Sequence, residues 1–349
     1  MIWLTWRQFR TQAWVAAAFL AAAATLLVIT GLRLAHLYDA SGLTTCHTSS
    51  ACQAIAGNFT QELQGGRLYH AVYVGGIFLM YAVPAIIGVF WGAPLVTREI
   101  EAGTFRLAWN QSITRTRWLA VKLGLIGLAS MVLTGLLSLL VTWWMSPISR
   151  AAPQVGERQA ESFLSRLDPT IFSTHGIVPV AYAAFAFALG VTAGVLIRRT
   201  VPAMATTLTV FAGIQLAWPN LVRPHLLTPV RRLTAFDPAA INQLTSSPDG
   251  HITVQAGVNM PNAWVLANQT VTAAGQPFTG PAPHACVSPS GSFQQCQNGL
   301  GRLHLQQLVT YQPAGRYWLF QWYEGAIFLA AALLLAGFCF WWVRRRRLS

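Results

Sequence analysis

A short charged segment between two long apolar runs holds the residues whose types and spacing most suggest a function. Residues 97–118 are dense in charge, whereas charged residues make up only 9% of the whole chain. After Gly103, which predicts a helix break, Phe105, Ala108 and Trp109 follow the i, i+3, i+4 spacing of an apolar helix face. A short helix with an apolar face and a rim of Arg and Glu is suited to dock on a soluble partner. The alternative is a basic loop whose tryptophans lie among lipid headgroups.

The sequence contains none of the common catalytic or metal-binding signatures. It has no Gly-x-x-x-x-Gly-Lys-Ser/Thr phosphate loop, so the chain is not expected to bind ATP in the usual way. It also has no His-Glu-x-x-His zinc helix and no Gly-x-Ser-x-Gly nucleophile elbow. The eight histidines are scattered outside the apolar runs or at their boundaries, which favours surface histidines over a metal site. The sequence therefore predicts no catalytic residue, no metal and no cofactor in this chain.

Four of the five cysteines form two close pairs in the segments between the runs. Disulfides persist outside the reducing cytosol, and local pairing is the simplest connectivity. We therefore predict Cys46–Cys52 and Cys286–Cys296 bridges, with free or metal-bound thiols as the alternative. Cys339 lies alone inside the last apolar run and is predicted to be a small packing residue.

Six apolar runs must position these features. A hydrocarbon core about 30 Å thick needs about 20 helical residues to cross it, and a helix satisfies its own backbone hydrogen bonds in lipid. The sequence thus predicts an all-α polytopic membrane protein with six transmembrane helices. The first run is too long for a signal peptide and is interpreted as a retained span. The six runs cover residues 14–34, 72–96, 119–145, 177–197, 201–218 and 321–343.

Few polar residues interrupt the predicted spans. Lys122 and Glu324 are expected near opposite ends of their spans, where they can reach the interface. Ion-coupled carriers place carboxylates in mid-membrane, so the energy source is expected elsewhere. Gly190 and Gly194 form a small-xxx-small pattern that predicts a close helix approach, and Pro84 predicts a bend.

The arginines give the orientation. Basic residues near span ends mark the cytoplasmic side. The chain has 23 basic residues, and most of those that closely flank the runs fall on one side. We therefore predict a multi-pass protein of the plasma membrane with both termini in the cytoplasm. Because topology accounts for the net charge of +13, no nucleic-acid partner is expected. The arginines on this side are Arg7, Arg10, Arg98, Arg106, Arg115, Arg117, Arg198, Arg199 and Arg344–Arg347.

The segments outside the spans complete the predicted layout. Residues 1–13 carry Trp and Arg along one edge of a helix, which predicts an interfacial amphipathic helix; a plain extension of span 1 is the alternative. Residues 14–218 hold spans 1 to 5, and residues 321–349 hold span 6 with a basic cytoplasmic tail. Residues 219–320 are predicted to form a small irregular extracellular insertion between spans 5 and 6.

Two short stretches of that insertion have the composition of strands. They are His251–Gln255 and Ala263–Val271. The segment between Ala273 and Gly301 is rich in turn residues and contains the second cysteine pair, so the insertion is predicted to be a lid rather than an enzyme domain.

The charged segment also carries a family pattern. Glu101-x-Gly103-Thr104, a Leu-Ala-Trp stretch and Ser112-x-Thr114-Arg115-x-x-Trp118 follow one another before span 3. This order resembles the first cytoplasmic loop of type-2 ATP-binding-cassette (ABC) permeases, and the C-terminal segment is similar to actinobacterial members. The predicted topology is similar too, although the exterior insertion is larger than the short hairpin of many members.

The resemblance implies an exporter-type transport subunit for a hydrophobic or amphipathic substrate. Such a subunit forms a homodimer or heterodimer and binds two copies of a separate ABC ATPase, which would hold the ATP and Mg²⁺. The resemblance indicates no substrate-binding residues. The residues it implies for coupling to the ATPase are Arg98, Glu99, Glu101, Gly103, Thr104, Phe105, Trp109 and Arg115.

A second hypothesis belongs to another class of protein. The chain could be a membrane-anchored enzyme or sensor that acts through residues 219–320, with Asp237, Asp249 or the histidines as candidate groups. Deletion of residues 245–300 with transport retained would argue against it.

Overall fold

Six long helices form the body of the computed structural model. Among the described residues these six are long and apolar enough to cross a bilayer, which confirms the predicted helical membrane fold. The structure describes residues 2–46, 50–102, 114–151, 166–246, 251–258, 260, 262–281, 283, 286 and 292–345. In order, spans 1 to 6 are α1 (Ile2–Ala40), the continuous run from α3 (Arg67–Ile86) to α4 (Pro94–Glu101), α5 (Arg115–Trp144), α8 (Val178–Ile197), α9 (Thr200–Leu221) and α11 (Tyr317–Arg345).

Shorter elements connect the spans. We call the end of the bundle that carries Arg98, Arg117 and Arg199 the basic end, and the opposite end, which carries the strands, the sheet end. The short helices are α2 (Ser50–Gly65), α6 (Ser146–Ala151), α7 (Pro169–Phe172) and α10 (Phe293–Gly301), with 3₁₀ turns at Leu43–Thr45, Arg223–His225, Pro238–Ala240 and Ala314–Arg316.

The predicted N-terminal helix is present, but it is not separate from span 1. Helix α1 runs without a break from Ile2 to Ala40, so residues 2–13 are helical and continuous with the span. The physical reason is that no Gly or Pro occurs before Gly31, so nothing in the sequence ends the helix at that point.

Span 4 is the centre of the bundle. In its most apolar window 78% of the residues are buried, against 17% in span 1. It contacts spans 2, 3, 5 and 6. Its small side chains, Ala181, Ala183 and Ala186 among them, are almost fully enclosed. Spans 1, 5 and 6 lie outside span 4. They present wide apolar faces, which are typical of helices that contact lipid or another chain.

Span 2 contains a π-helical turn over Ile87–Gly92, directly after Pro84. In this turn the Ala93 N–H donates to the carbonyl oxygen of Gly88, five residues earlier, at 2.9 Å. Pro84 lacks an N–H and cannot donate within its helix. The helix therefore becomes irregular close to the predicted position.

The predicted close approach involves this π turn and span 4. A Cβ atom on Gly190 would lie 2.2 Å from the carbonyl oxygen of Gly88. A Cβ atom on Gly194 would lie 2.7 Å from that of Ala93. Any larger residue at these positions would collide with backbone, so the glycines set the distance between the two helices.

The insertion between spans 5 and 6 is more regular than predicted. It contains two three-stranded antiparallel sheets, and the two predicted strand stretches are β3 and β4. The sequence analysis missed the other strands, two of which pair across more than 70 residues of chain. The first sheet has the order β1 (Val230–Ala235), β6 (Gln306–Gln312), β4 (Trp264–Val271), and the second β2 (Ile241–Ser246), β3 (His251–Ala256), β5 (Gly280–Pro281).

Both predicted disulfides are present. The Cα atoms are 5.7 Å apart in Cys46–Cys52 and 4.6 Å apart in Cys286–Cys296. The second bridge ties α10 to the small core of the β2–β3 sheet. Cys339 is the remaining cysteine and is fully buried in span 6, as predicted for a packing residue.

Candidate coupling site and a buried ion pair

The charged segment 97–118 begins in α4 and ends in α5 at the basic end. Thr114 caps α5, because its hydroxyl oxygen accepts a hydrogen bond from the Arg117 N–H at 3.3 Å. Arg115 is the first residue of this helix. Four of the predicted coupling residues lie outside the described residues, namely Gly103, Thr104, Phe105 and Trp109.

An ion pair joins the two flanks of this segment. The Lys122 ammonium in span 3 donates to the Glu99 carboxylate at the end of span 2, and their side chains are 5% and 15% exposed. Lys122 also lies 4.8 Å above the ring of Trp118. Lys122 is thus near the end of its span, as predicted, but it is enclosed by protein and does not extend to the interface.

Glu101 links the same segment to span 5. Its Oε1 accepts a hydrogen bond from the Thr200 N–H at 2.8 Å, and its Oε2 lies 2.7 Å from the Thr200 hydroxyl. The same hydroxyl is 2.9 Å from that of Thr97. Thr200 is the first residue of span 5, so a carboxylate meets a free N–H at a helix N-terminus, where negative charge is stabilised.

Glu99 and Glu101 therefore bind within this chain. One ties the end of span 2 to span 3, and the other ties it to span 5. Arg98 lies between them in the chain, and its exposed side chain makes no hydrogen bond or ion pair to any other described residue. The arrangement leaves a cation free at the surface and uses the two carboxylates to hold the segment on the bundle.

A second ion pair lies near the sheet end, where the sequence analysis had not predicted one. Arg223, just after span 5, donates from Nε to Glu324 Oε2 at 2.8 Å and from Nη2 to Glu324 Oε1 at 2.9 Å. The two side chains are 1% and 0% exposed. Glu324 had been expected to reach the interface, and this expectation is wrong, because its neighbours enclose it and Arg223 neutralises it.

Both terminal nitrogens of Arg223 make further hydrogen bonds. Its Nη1 donates to the carbonyl oxygen of Pro169 at 3.1 Å, and its Nη2 donates to the Ser173 hydroxyl at 2.7 Å. Tyr182 of span 4 donates to Glu324 from its hydroxyl. Burial alone would lower the pKa of Arg223, but the hydrogen bonds and attraction from Glu324 raise it, so the guanidinium stays charged.

Gln321 extends this polar cluster by one helical turn. Its Oε1 accepts from the N–H groups of Ile177 and Val178 at 3.0 and 3.1 Å, at the start of span 4. Its Nε2 donates to the carbonyl oxygen of His175 at 3.0 Å. Together Glu324 and Gln321 join span 6 to span 4 and to the end of span 5. A solitary carboxylate in an apolar span was the one sequence signal for this cluster.

Among the described residues, the candidate groups of the insertion either have structural roles or lie apart from one another. Asp237 caps a 3₁₀ turn by accepting from the Ala239 N–H at 2.9 Å. His251 Nδ1 lies 3.2 Å from the carbonyl oxygen of Thr279. Asp249 lies outside the described residues. Across the described part of the chain, no three His, Cys, Asp or Glu side chains gather as they would around a metal ion.

Comparison with known proteins gives one match. Residues 17–223, more than half of the chain, match the family described as ABC-2 membrane transporter related. Neither the curated proteins nor the solved structures contain a match. The matched residues include most of span 1, all of spans 2 to 5, both flanks of segment 97–118 and Arg223. The chain therefore belongs to the ABC-2 membrane transporter related family and is a multi-pass transmembrane transporter subunit.

Proposed function

We propose that this chain is the permease subunit of an ATP-driven exporter and that segment 97–118 couples it to a separate ATPase. Family membership supports association with an ABC ATPase subunit. One observation carries the coupling role. Glu99 and Lys122 hold the two described flanks of the segment together, and Glu101 binds the start of span 5.

These contacts suggest how movement reaches the spans. When two ATPase subunits close on nucleotide, a docked segment moves with them. The ion pair would then pull the start of span 3, and the Glu101–Thr200 contact would pull the start of span 5. Tightly packed interfaces move between discrete arrangements rather than deform gradually. A shift of these two spans relative to span 4 would therefore favour either an inward-open or an outward-open bundle.

The rest of the assembly follows from the same proposal. The basic end would face the cytoplasm, with both termini on that side, because the arginines collect there. Two ATPase copies would bind a homodimer or heterodimer of permeases and would hold the ATP and Mg²⁺. The cargo would be hydrophobic or amphipathic, since the bundle is lined and surrounded by apolar side chains.

A distance measurement tests the coupling without knowledge of the cargo. Spin labels at Leu32 and Leu221, both exposed near the sheet end of spans 1 and 5, report the separation of these spans in the complex with its ATPase. We expect ATP to change this distance in the wild type. Glu101→Arg should abolish the change while membrane insertion and ATP hydrolysis continue, because an arginine cannot accept from Thr200 and repels Arg199.

Glu62→Arg is the matched control. Glu62 is an exposed carboxylate in α2, and it is distant in sequence from Glu101. This variant should keep the ATP-dependent change of distance. An unchanged response in Glu101→Arg would contradict the coupling role of the segment.

A further inference from the structure

A cavity of about 260 Å³ opens at the basic end between spans 1, 2 and 3. Its wall is apolar, and its rim is charged. We propose that it binds one anionic glycerophospholipid, whose phosphate contacts Arg98 and one of whose acyl chains lies along the wall. Its lining includes Phe9, Phe90, Trp91, Arg98, Glu99 and Lys122.

The two chemistries are separated along span 2. Phe90 and Trp91 are on the wall, whereas Arg98 is on the rim. Phe90 and Trp91 precede Arg98 by eight and seven residues, which is about two helical turns, so these aromatic contacts lie well away from the cation. A phospholipid has the same order, since its phosphate is followed by the glycerol esters and then by the chains. A small soluble anion would leave the apolar wall without a partner.

The rim has an excess of positive charge. It carries two cations, Arg98 and Lys122, against one carboxylate, Glu99. Lys122 is already paired with Glu99, so the uncompensated charge belongs to Arg98, whose side chain is exposed and makes no hydrogen bond or ion pair within the described chain. A guanidinium can bind two phosphate oxygens at once, and such charge-assisted hydrogen bonds are stronger than neutral ones.

The cavity is also open toward the bilayer. Phe90 lines it and is 54% exposed, so the wall continues onto the outer apolar face of the bundle. At the back, Phe9 and Trp91 meet edge-on with their ring centroids 4.9 Å apart and close the cavity between spans 1 and 2. A chain from the surrounding lipid can thus enter sideways without crossing water. This inference does not depend on the proposed transport function.

Native mass spectrometry of the purified full-length chain tests the proposal. The probes are phosphatidylglycerol, phosphatidylcholine with the same acyl chains, and glycerol 3-phosphate. We expect phosphatidylglycerol to stay bound at about one molecule per chain and to bind about tenfold more weakly to Arg98→Gln. The matched control is Arg117→Gln, since Arg117 is exposed at the same end but does not line the cavity. That variant should bind as the wild type does.

Three results would overturn the proposal. Equal retention of phosphatidylcholine would exclude recognition of the anionic headgroup. Equal affinity of wild type and Arg98→Gln, at equal thermal stability, would place the lipid elsewhere. Displacement of the lipid by glycerol 3-phosphate at equal concentration would indicate a site for soluble anions. Both variants change exposed side chains, so each is expected to fold and its melting temperature serves as the check.

Discussion

Glu99 and Lys122 form an ion pair across the base of the charged segment, with side chains that are 15% and 5% exposed. The pair joins the last turn of span 2 to the first turns of span 3. Glu99 and Lys122 themselves are 23 residues apart in the chain. The two described flanks of the charged segment are therefore held together. If a partner moves this segment, spans 2 and 3 must move together.

Breaking this pair should destabilise the protein. Lys122→Met leaves the Glu99 carboxylate in a mostly enclosed place without its cation, and Glu99→Gln leaves the ammonium unpaired. Loss of one partner of such a pair costs about 2–4 kcal/mol. Chemical unfolding in detergent should show this loss for each variant. The double variant should recover part of it, and a loss equal to the sum of the two single losses would contradict a direct interaction.

Arg223 should not be replaceable by lysine. Its guanidinium donates to Glu324 twice and to two further acceptors on α7 and just after it. A lysine keeps the charge but cannot repeat this fork, so we expect a loss of about 2 kcal/mol. Arg223→Met should cost more, about 3–5 kcal/mol, because Glu324 would be buried and unpaired. Thermal unfolding measures both.

The control for this series is Arg232→Met, on an exposed arginine of β1. It should change the melting temperature little, since exposed charges contribute little to stability. If Arg223→Lys melted like the wild type, the fork geometry would have no energetic importance.

Replacement of glycine by alanine is expected to have opposite effects on stability at Gly190 and at Gly213. Gly190→Ala would place a methyl group 2.2 Å from the Gly88 carbonyl oxygen, so the helices must separate. We expect a loss of about 3 kcal/mol and a smaller yield of monodisperse protein. Gly213→Ala in span 5 is the control, because a Cβ there meets no atom within 4 Å. It should be neutral or stabilise by up to about 1 kcal/mol.

The disulfides can be counted chemically. Denatured, unreduced protein should react with one equivalent of a polyethylene glycol maleimide, at Cys339, and reduced protein with five. Gel shifts measure the number. A reaction of three or more equivalents before reduction would show that at least one bridge is not formed.

The sequence predicted the features that depend on single segments. Each span was visible because its own residues are apolar over the length of a bilayer. The close helix approach at Gly190 and Gly194 of span 4 was visible as a spacing, and the structure identifies span 2 as its partner. Two strands of the insertion were visible as well, and β3 alternates buried and exposed residues.

The features that depend on distant segments were not predicted. Arg223 and Glu324 are 101 residues apart, and hydropathy places the arginine in a loop and the carboxylate at a span end. Nothing in either neighbourhood indicates that span 4 brings them together. β1 and β6 pair across a similar distance, and β1 carries arginines that hide its strand character. In segment 97–118 the contacts of Glu99 and Glu101 within the bundle were not predicted, because they depend on how spans 3 and 5 pack.

Affinity purification of the tagged chain from its native membranes tests the central claim most directly. We expect an ATP-hydrolysing subunit to co-purify with the wild type and with Glu101→Arg, and we expect Glu101→Arg to lose the ATP-dependent movement of the spans. Recovery of the chain alone under gentle detergents, without nucleotide hydrolysis, would contradict the account and would direct attention to the insertion between spans 5 and 6.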